Sequence, residues 1–130
     1  MKRILIVDDK ATSRELLRTV LEKQGYAIIE ATNGKEALEK TRSDGPDLIL
    51  LDLQMPIRNG YEVLAELRKE PAYAELPIIA LTASAMQGDR ERALAAGFTG
   101  YLAKPVTLAA IRGEIQRLLE PGGARSAQSS

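Results

Sequence analysis

Five short aliphatic runs recur along the chain, RILIV at 3–7, YAIIEA at 26–31, DLILL at 47–51, PIIAL at 77–81 and GYLA at 100–103. Each is too short for a stable helix and rich in residues that suit a pleated surface, so each reads as a strand. The segments between them carry apolar residues at helical spacing, such as Leu16, Leu17, Val20 and Leu21 before Gly25, or Leu108, Ile111, Ile115 and Leu118 near the end. Those read as amphipathic helices. Strand and helix therefore alternate five times over about 120 residues. The middle strands are almost continuously apolar, which a strand sustains only when both its faces are covered. An α/β architecture follows: a parallel sheet, helices on both faces, and right-handed crossovers that leave few topologies.

At 130 residues and 45% hydrophobic content, the chain suits one domain with a real core. That domain is expected over residues 1–120. Residues 121–130, PGGARSAQSS, open with a helix-stopping Pro-Gly-Gly, lack apolar content and are expected to form a disordered tail. The segment SAMQGDRERALAAG at 84–97 has Gly88 inside it and only alanines, Met86 and Leu94 to bury. It is expected to be the least firmly anchored helix, a candidate moving part.

Lys plus Arg (18) balance Asp plus Glu (18), so no global basic field draws in nucleic acid or an anionic membrane. The absence of Cys removes disulfides and thiol chemistry and agrees with a reducing cytoplasm, and the absence of His removes imidazole bases and ligands. MKRILIVDDK has too short an apolar stretch for a signal peptide or a membrane span, so a soluble cytoplasmic protein is expected.

Function must then lie in a local cluster, and the strand ends supply one. Asp8 and Asp9 follow the first strand, Asp52 the third, Thr82 the fourth and Lys104 the fifth. In an open parallel sheet these carboxyl ends share one edge, where ligands bind at the switch in strand order. Carboxylates about 4 Å apart repel by roughly 4 kcal/mol per pair at an effective dielectric near 20, so three of them call for a cation. Oxygen ligands without Cys or His suit a hard ion, and Mg²⁺ fits best because it accepts a few carboxylates and then phosphate oxygens. Lys104 and Thr82 suit the oxygens of a phosphoryl group. Asp52 remains as the nucleophile that would form an acyl phosphate. A cis bond between Lys104 and Pro105 would turn the ammonium back into the crevice. In the loop LQMPIRNG, Met55-Pro56 would turn the chain, Gly60 would allow a left-handed backbone, and the Gln54 carbonyl could face the metal.

The motifs ILIVDD, DLILLDLQMPIRNG, PIIALTA and GYLAKP, in this order over about residues 2–119, resemble a response-regulator receiver domain of two-component signalling. The stretch LTASAMQGDRERALAAG further resembles receivers of hybrid kinases, phosphorelays and single-domain regulators. The resemblance implies a flavodoxin-like (βα)5 fold with strand order 2-1-3-4-5, phosphorylated on Asp52 by a histidine kinase or histidine phosphotransfer domain. It implies that Asp9, Asp52 and the Gln54 carbonyl bind Mg²⁺ directly, with Asp8 acting mainly through water. Thr82 and Lys104 would contact the phosphoryl group. Tyr101 would be the switch aromatic, although alone it reads as an ordinary half-buried tyrosine. Gln54 and Ser84 would border the path of the hydrolytic water and tune the phosphoryl lifetime. No output domain is recognisable after the fifth helix, so a free-standing regulator and one receiver of a longer protein both stay open, as a monomer or a phosphorylation-dependent dimer.

Other classes fit less well. A phosphatase or phosphotransferase of the haloacid-dehalogenase type needs a second acid two residues beyond its nucleophile, and that position is Gln54. A flavin or nucleotide module needs a phosphate-cradling loop after the first strand, where DDKATS opens with two anions. An interaction module with unused phosphorylation chemistry is the third alternative.

Overall fold

The strands form where the aliphatic runs are. A computed structural model describes residues 2–55, 59–83 and 88–119. It has β1 (Arg3–Val7), α1 (Ala11–Glu22), β2 (Ala27–Ala31), α2 (Gly34–Asp44), β3 (Leu48–Asp52), α3 (Gly60–Arg68), β4 (Ile78–Thr82), α4 (Asp89–Ala96), β5 (Gly100–Ala103) and α5 (Leu108–Leu119), with a 3-10 turn at Pro71–Tyr73. All four strand pairings are parallel, and the order is β2-β1-β3-β4-β5. This is the flavodoxin-like arrangement, with the switch in strand order between β1 and β3.

The twofold alternation of side chains divides the core. Leu5, Val7, Ile49, Leu51, Ile78 and Ala80 face α2 and α3. Ile4, Ile6, Leu48, Leu50, Ile79 and Leu81 face α1 and α5. β1, β3 and β4 are interior strands with continuous aliphatic sequence because a helix layer covers each face. The starts of α2 and α3 are capped locally: Asn33 Oδ1 accepts from the Glu36 amide, and Asn59 with Glu62 forms a capping box at α3.

The helical spacing misassigned two leucines. Leu16 and Leu108 are 65% and 50% exposed, while Leu17 and Leu21 of α1 and Ile111, Ile115 and Leu119 of α5 face the sheet. The two exposed leucines line an open apolar groove of about 650 Å³ that reaches Lys104. Gly88 lies outside α4, at its N-cap with φ +89°, a left-handed conformation that favours glycine. Leu94 is 39% exposed and Ala93 is the buried residue of α4, so this helix is indeed weakly anchored. Met86, Pro56 and the tail at 121–130 fall outside the described residues. No helix among the described residues is long and apolar enough to cross a membrane.

Candidate functional site

The parallel register brings residues from four strands to one edge. Asp52 and Thr82 are the last residues of β3 and β4, one position further into the sheet than the sequence suggests, and both are buried. Asp8 follows β1 and is completely buried; Asp9 beside it is exposed. One carboxylate oxygen from each of Asp8, Asp9 and Asp52 lies within 4.8 Å of the others. Lys104 Nζ sits 2.8 Å from Asp8 Oδ2 and 3.3 Å from Asp52 Oδ2. Its backbone N–H donates to the Thr82 carbonyl at 2.7 Å, fastening the end of β5 to β4. The Lys104–Pro105 bond is cis, and the ammonium does reach the crevice.

The remaining oxygens of the two buried acids are held by backbone. Asp8 Oδ1 accepts from the Lys10 amide and Asp52 Oδ1 from the Gln54 amide, each at 2.9 Å. Gln54 thus meets Asp52 through its N–H, a contact with no signature in the sequence. Burial raises the Asp52 pKa and the charge of Asp8 adds to the rise, against the opposing Gln54 hydrogen bond and Lys104 ammonium. Burial works to lower the Lys104 pKa, but the Asp8 hydrogen bond and the charges of Asp52 and Asp8 outweigh it and hold the ammonium above the ordinary lysine value. The donor set, three converging carboxylates with no imidazole or thiolate in the chain, fits a hard divalent cation such as Mg²⁺.

The chain is similar to a large group of proteins. The model of the response regulator receiver domain matches residues 4–116. The chain belongs to the response-regulator receiver family. It is 40% identical over 107 residues to the polar-differentiation response regulator DivK of Brucella anthropi, covering 82% of this chain and 87% of that one. A putative response regulator from Chloroflexus aurantiacus superimposes with a TM-score of 0.87 at 33% identity, over 92% of this chain and 98% of that chain. The receiver domain of sensor histidine kinase PA1611 from Pseudomonas aeruginosa, determined with a magnesium ion coordinated in its active-site cleft, gives 0.84 at 35% identity over the same shares. Receivers of this kind are signalling proteins of two-component systems, not classical enzymes.

Around the receiver site, Tyr101 is a half-buried residue of β5 packed against the cluster that holds Phe98 and Tyr61. Its buried hydroxyl has no hydrogen-bond partner among the described residues. Burial, then the nearby Asp89 charge, raises its pKa. Ser84 lies outside the described residues. Gly60 is required for a reason other than a left-handed backbone: a Cβ there would stand 2.8 Å from the Asp52 carbonyl oxygen and 2.9 Å from Leu53 Cα. The start of α3 therefore packs directly on the strand end that carries Asp52. Arg14, in sequence one more polar residue of α1, donates through Nη1 to the Asp8 carbonyl oxygen at 2.8 Å, a contact that helical spacing does not signal.

An acid whose pKa is raised by folding costs stability as pH rises through that raised value and recovers it below. With chelator present, Asp52→Asn is expected to melt at a higher temperature than the wild type near pH 8, with a gain that shrinks as pH falls toward the ordinary aspartate pKa of about 4. Thermal unfolding of both proteins across that range measures it. A less stable Asn variant near pH 8 would mean that the Lys104 ion pair outweighs burial.

Proposed function

We propose that this receiver accepts a phosphoryl group onto a carboxylate oxygen of Asp52 from a phosphohistidine of a histidine kinase or histidine phosphotransfer domain. The observation that carries the reading is the Lys104 ammonium held between two buried strand-end carboxylates, with a third carboxylate beside them. An Asp52 oxygen forms the new P–O bond as the P–N bond to the donor imidazole breaks, and the released imidazole takes up a proton from water. Lys104 donates to one phosphoryl oxygen and the Thr82 hydroxyl to another. Asp9, Asp52 and the Gln54 carbonyl would hold Mg²⁺, with Asp8 acting through water. When bound, the ion offsets the charge of the carboxylates and of the phosphoryl oxygens. The magnesium ion in the cleft of the similar Pseudomonas aeruginosa receiver supports this assignment. Gln54 and Ser84 carry no general base and would position the hydrolytic water, tuning how long the acyl phosphate lasts. The setting we infer is the cytoplasm, and the only chemistry is self-directed transfer and dephosphorylation.

Intact mass after treatment with a small phosphodonor is expected to rise by one phosphoryl group in Mg²⁺ and not in chelator, and Asp52→Asn should abolish the gain. Labelling of the Asn variant at the wild-type rate would remove Asp52 as acceptor. The donor protein needs a surface beside Lys104, and the groove lined by Leu16, Val20, Val106 and Leu108 is apolar and continuous with the site. The phosphohistidine-bearing segment is its proposed occupant. Leu16→Glu should slow transfer from a phosphorylated donor domain at least tenfold, the effect of about 1.4 kcal/mol of lost docking, while leaving small-donor labelling unchanged. Equal rates from the protein donor would discard the groove.

Output is proposed as a change of the α4-β5-α5 surface that alters its affinity for a downstream protein. Thr82 engaging the new phosphoryl oxygens would alter the space beside Tyr101, and the two states need differ by only about 1–3 kcal/mol in partner affinity. Thr82→Ala should still accept phosphate on Asp52 but lose much of the phosphorylation-dependent change in hydrogen exchange over residues 88–103. Equal changes in both proteins would show that Thr82 does not transmit the signal.

A further inference from the structure

The metal-facing acids differ in how they are held. Asp8 and Asp52 are buried and hydrogen-bonded, whereas Asp9 is exposed and no hydrogen bond among the described residues reaches its carboxylate. The place of Asp9 is therefore set by the backbone that leads into it. A trans peptide is a rigid plane, so fixing the Asp8 carbonyl fixes the plane that also carries the Asp9 nitrogen and Cα.

That carbonyl is fixed by Arg14. Its Nη1 donates to the Asp8 carbonyl oxygen at 2.8 Å, and its Nε donates to Glu30 Oε1 of β2 at 3.0 Å. The other Glu30 oxygen accepts from Arg18 Nη1 at 2.8 Å, so the carboxylate that orients Arg14 is itself held. On the opposite side of the residue, the Asp8 N–H donates to the Ala31 carbonyl at 3.1 Å. The Arg14 side chain is only 15% exposed. A planar guanidinium with donors diverging along fixed directions suits this bridge, because it reaches a carbonyl and a carboxylate at once.

We infer that Arg14 is a positioning residue for the cation site, holding the Asp8–Asp9 peptide so that the exposed Asp9 carboxylate stands where it can complete the ligand set. The inference rests on the receiver reading above. It also has a distinctive sign. If Arg14 acted only as a nearby positive charge, its removal would tighten cation binding. Positioning demands the reverse.

Isothermal titration of Mg²⁺ into the unphosphorylated chain tests it. Arg14→Met should weaken Mg²⁺ binding by about tenfold, the usual scale for losing a group that orients a ligand. Glu30→Gln removes the charge of the α1–β2 ion pairs but keeps an oxygen that can accept from Arg14 Nε, so it should lower thermal stability and, with Arg14 still oriented on the Asp8 carbonyl, keep Mg²⁺ affinity near wild type. Phosphorylation of Arg14→Met at saturating Mg²⁺ should reach the wild-type extent. If that variant does not fold, Arg14→Lys, which keeps the charge without the fork, is expected to bind Mg²⁺ more weakly than wild type. Unchanged or tighter Mg²⁺ binding in the Arg14 variant, or equal weakening in Arg14→Met and Glu30→Gln, overturns the inference while the receiver reading stands. A wild-type chain that binds no Mg²⁺ overturns both.

Discussion

The receiver site depends on one imbalance of charge. Three carboxylates converge where a single ammonium, that of Lys104, lies between two of them, which leaves two negative charges uncompensated by that ammonium. Asp8 and Asp52 are buried, so water cannot make up the difference as it would at an exposed acidic cluster. The fold tolerates this because its interior strands are locked by aliphatic packing on both faces and because backbone amides of Lys10 and Gln54 each serve one carboxylate oxygen. A site held in that condition is suited to a divalent cation.

The two ends of the fold around β4 and β5 are unequal in a way that bears on signalling. The C-terminal end of α4 is tied down: the half-buried Arg68 guanidinium donates to the Gly97 carbonyl and to the carbonyls of Tyr73 and Leu76, joining α3, the 3-10 turn and the end of α4. At its other end α4 begins at Gly88 in a left-handed conformation, and Ala93 is its buried residue. A helix held at one end by a half-buried cation and along its length by little apolar surface can shift at modest cost. Thr82 and Tyr101 stand on the adjacent strands β4 and β5, and Tyr101 packs against the cluster that includes Ala93 of this helix.

The chain's own spelling carries the strands and the acidic edge to within one residue, and the helices in their order along the chain. It does so because continuous aliphatic runs bounded by polar residues have few alternatives to buried parallel strands, and because such strands put their carboxyl ends together. Where the reading went astray, a third dimension was needed. Leu16 and Leu108 satisfy helical spacing as well as their neighbours do, yet the width of the buried stripe is set by how each helix rolls against the sheet. Gly60 looked like a left-handed glycine and is instead a glycine of close approach to the Asp52 carbonyl. Gly88 looked like a flaw inside a helix and is its N-cap.

The sequence by itself determined the α/β class, the identity of the acids, the threonine and the lysine at the strand ends, and the hardness of any cation they hold, since these follow from periodicity and from side-chain chemistry. Only the tertiary structure decided which oxygens Lys104 bridges, that the Gln54 amide braces Asp52, and that Arg14 clamps the carbonyl leading into Asp9. Those are relations between residues far apart in the chain or facing one another across a turn. Local pattern says which side chains lie on a buried face, but the distance between two polar atoms is set by how all five strands and their helices pack at once.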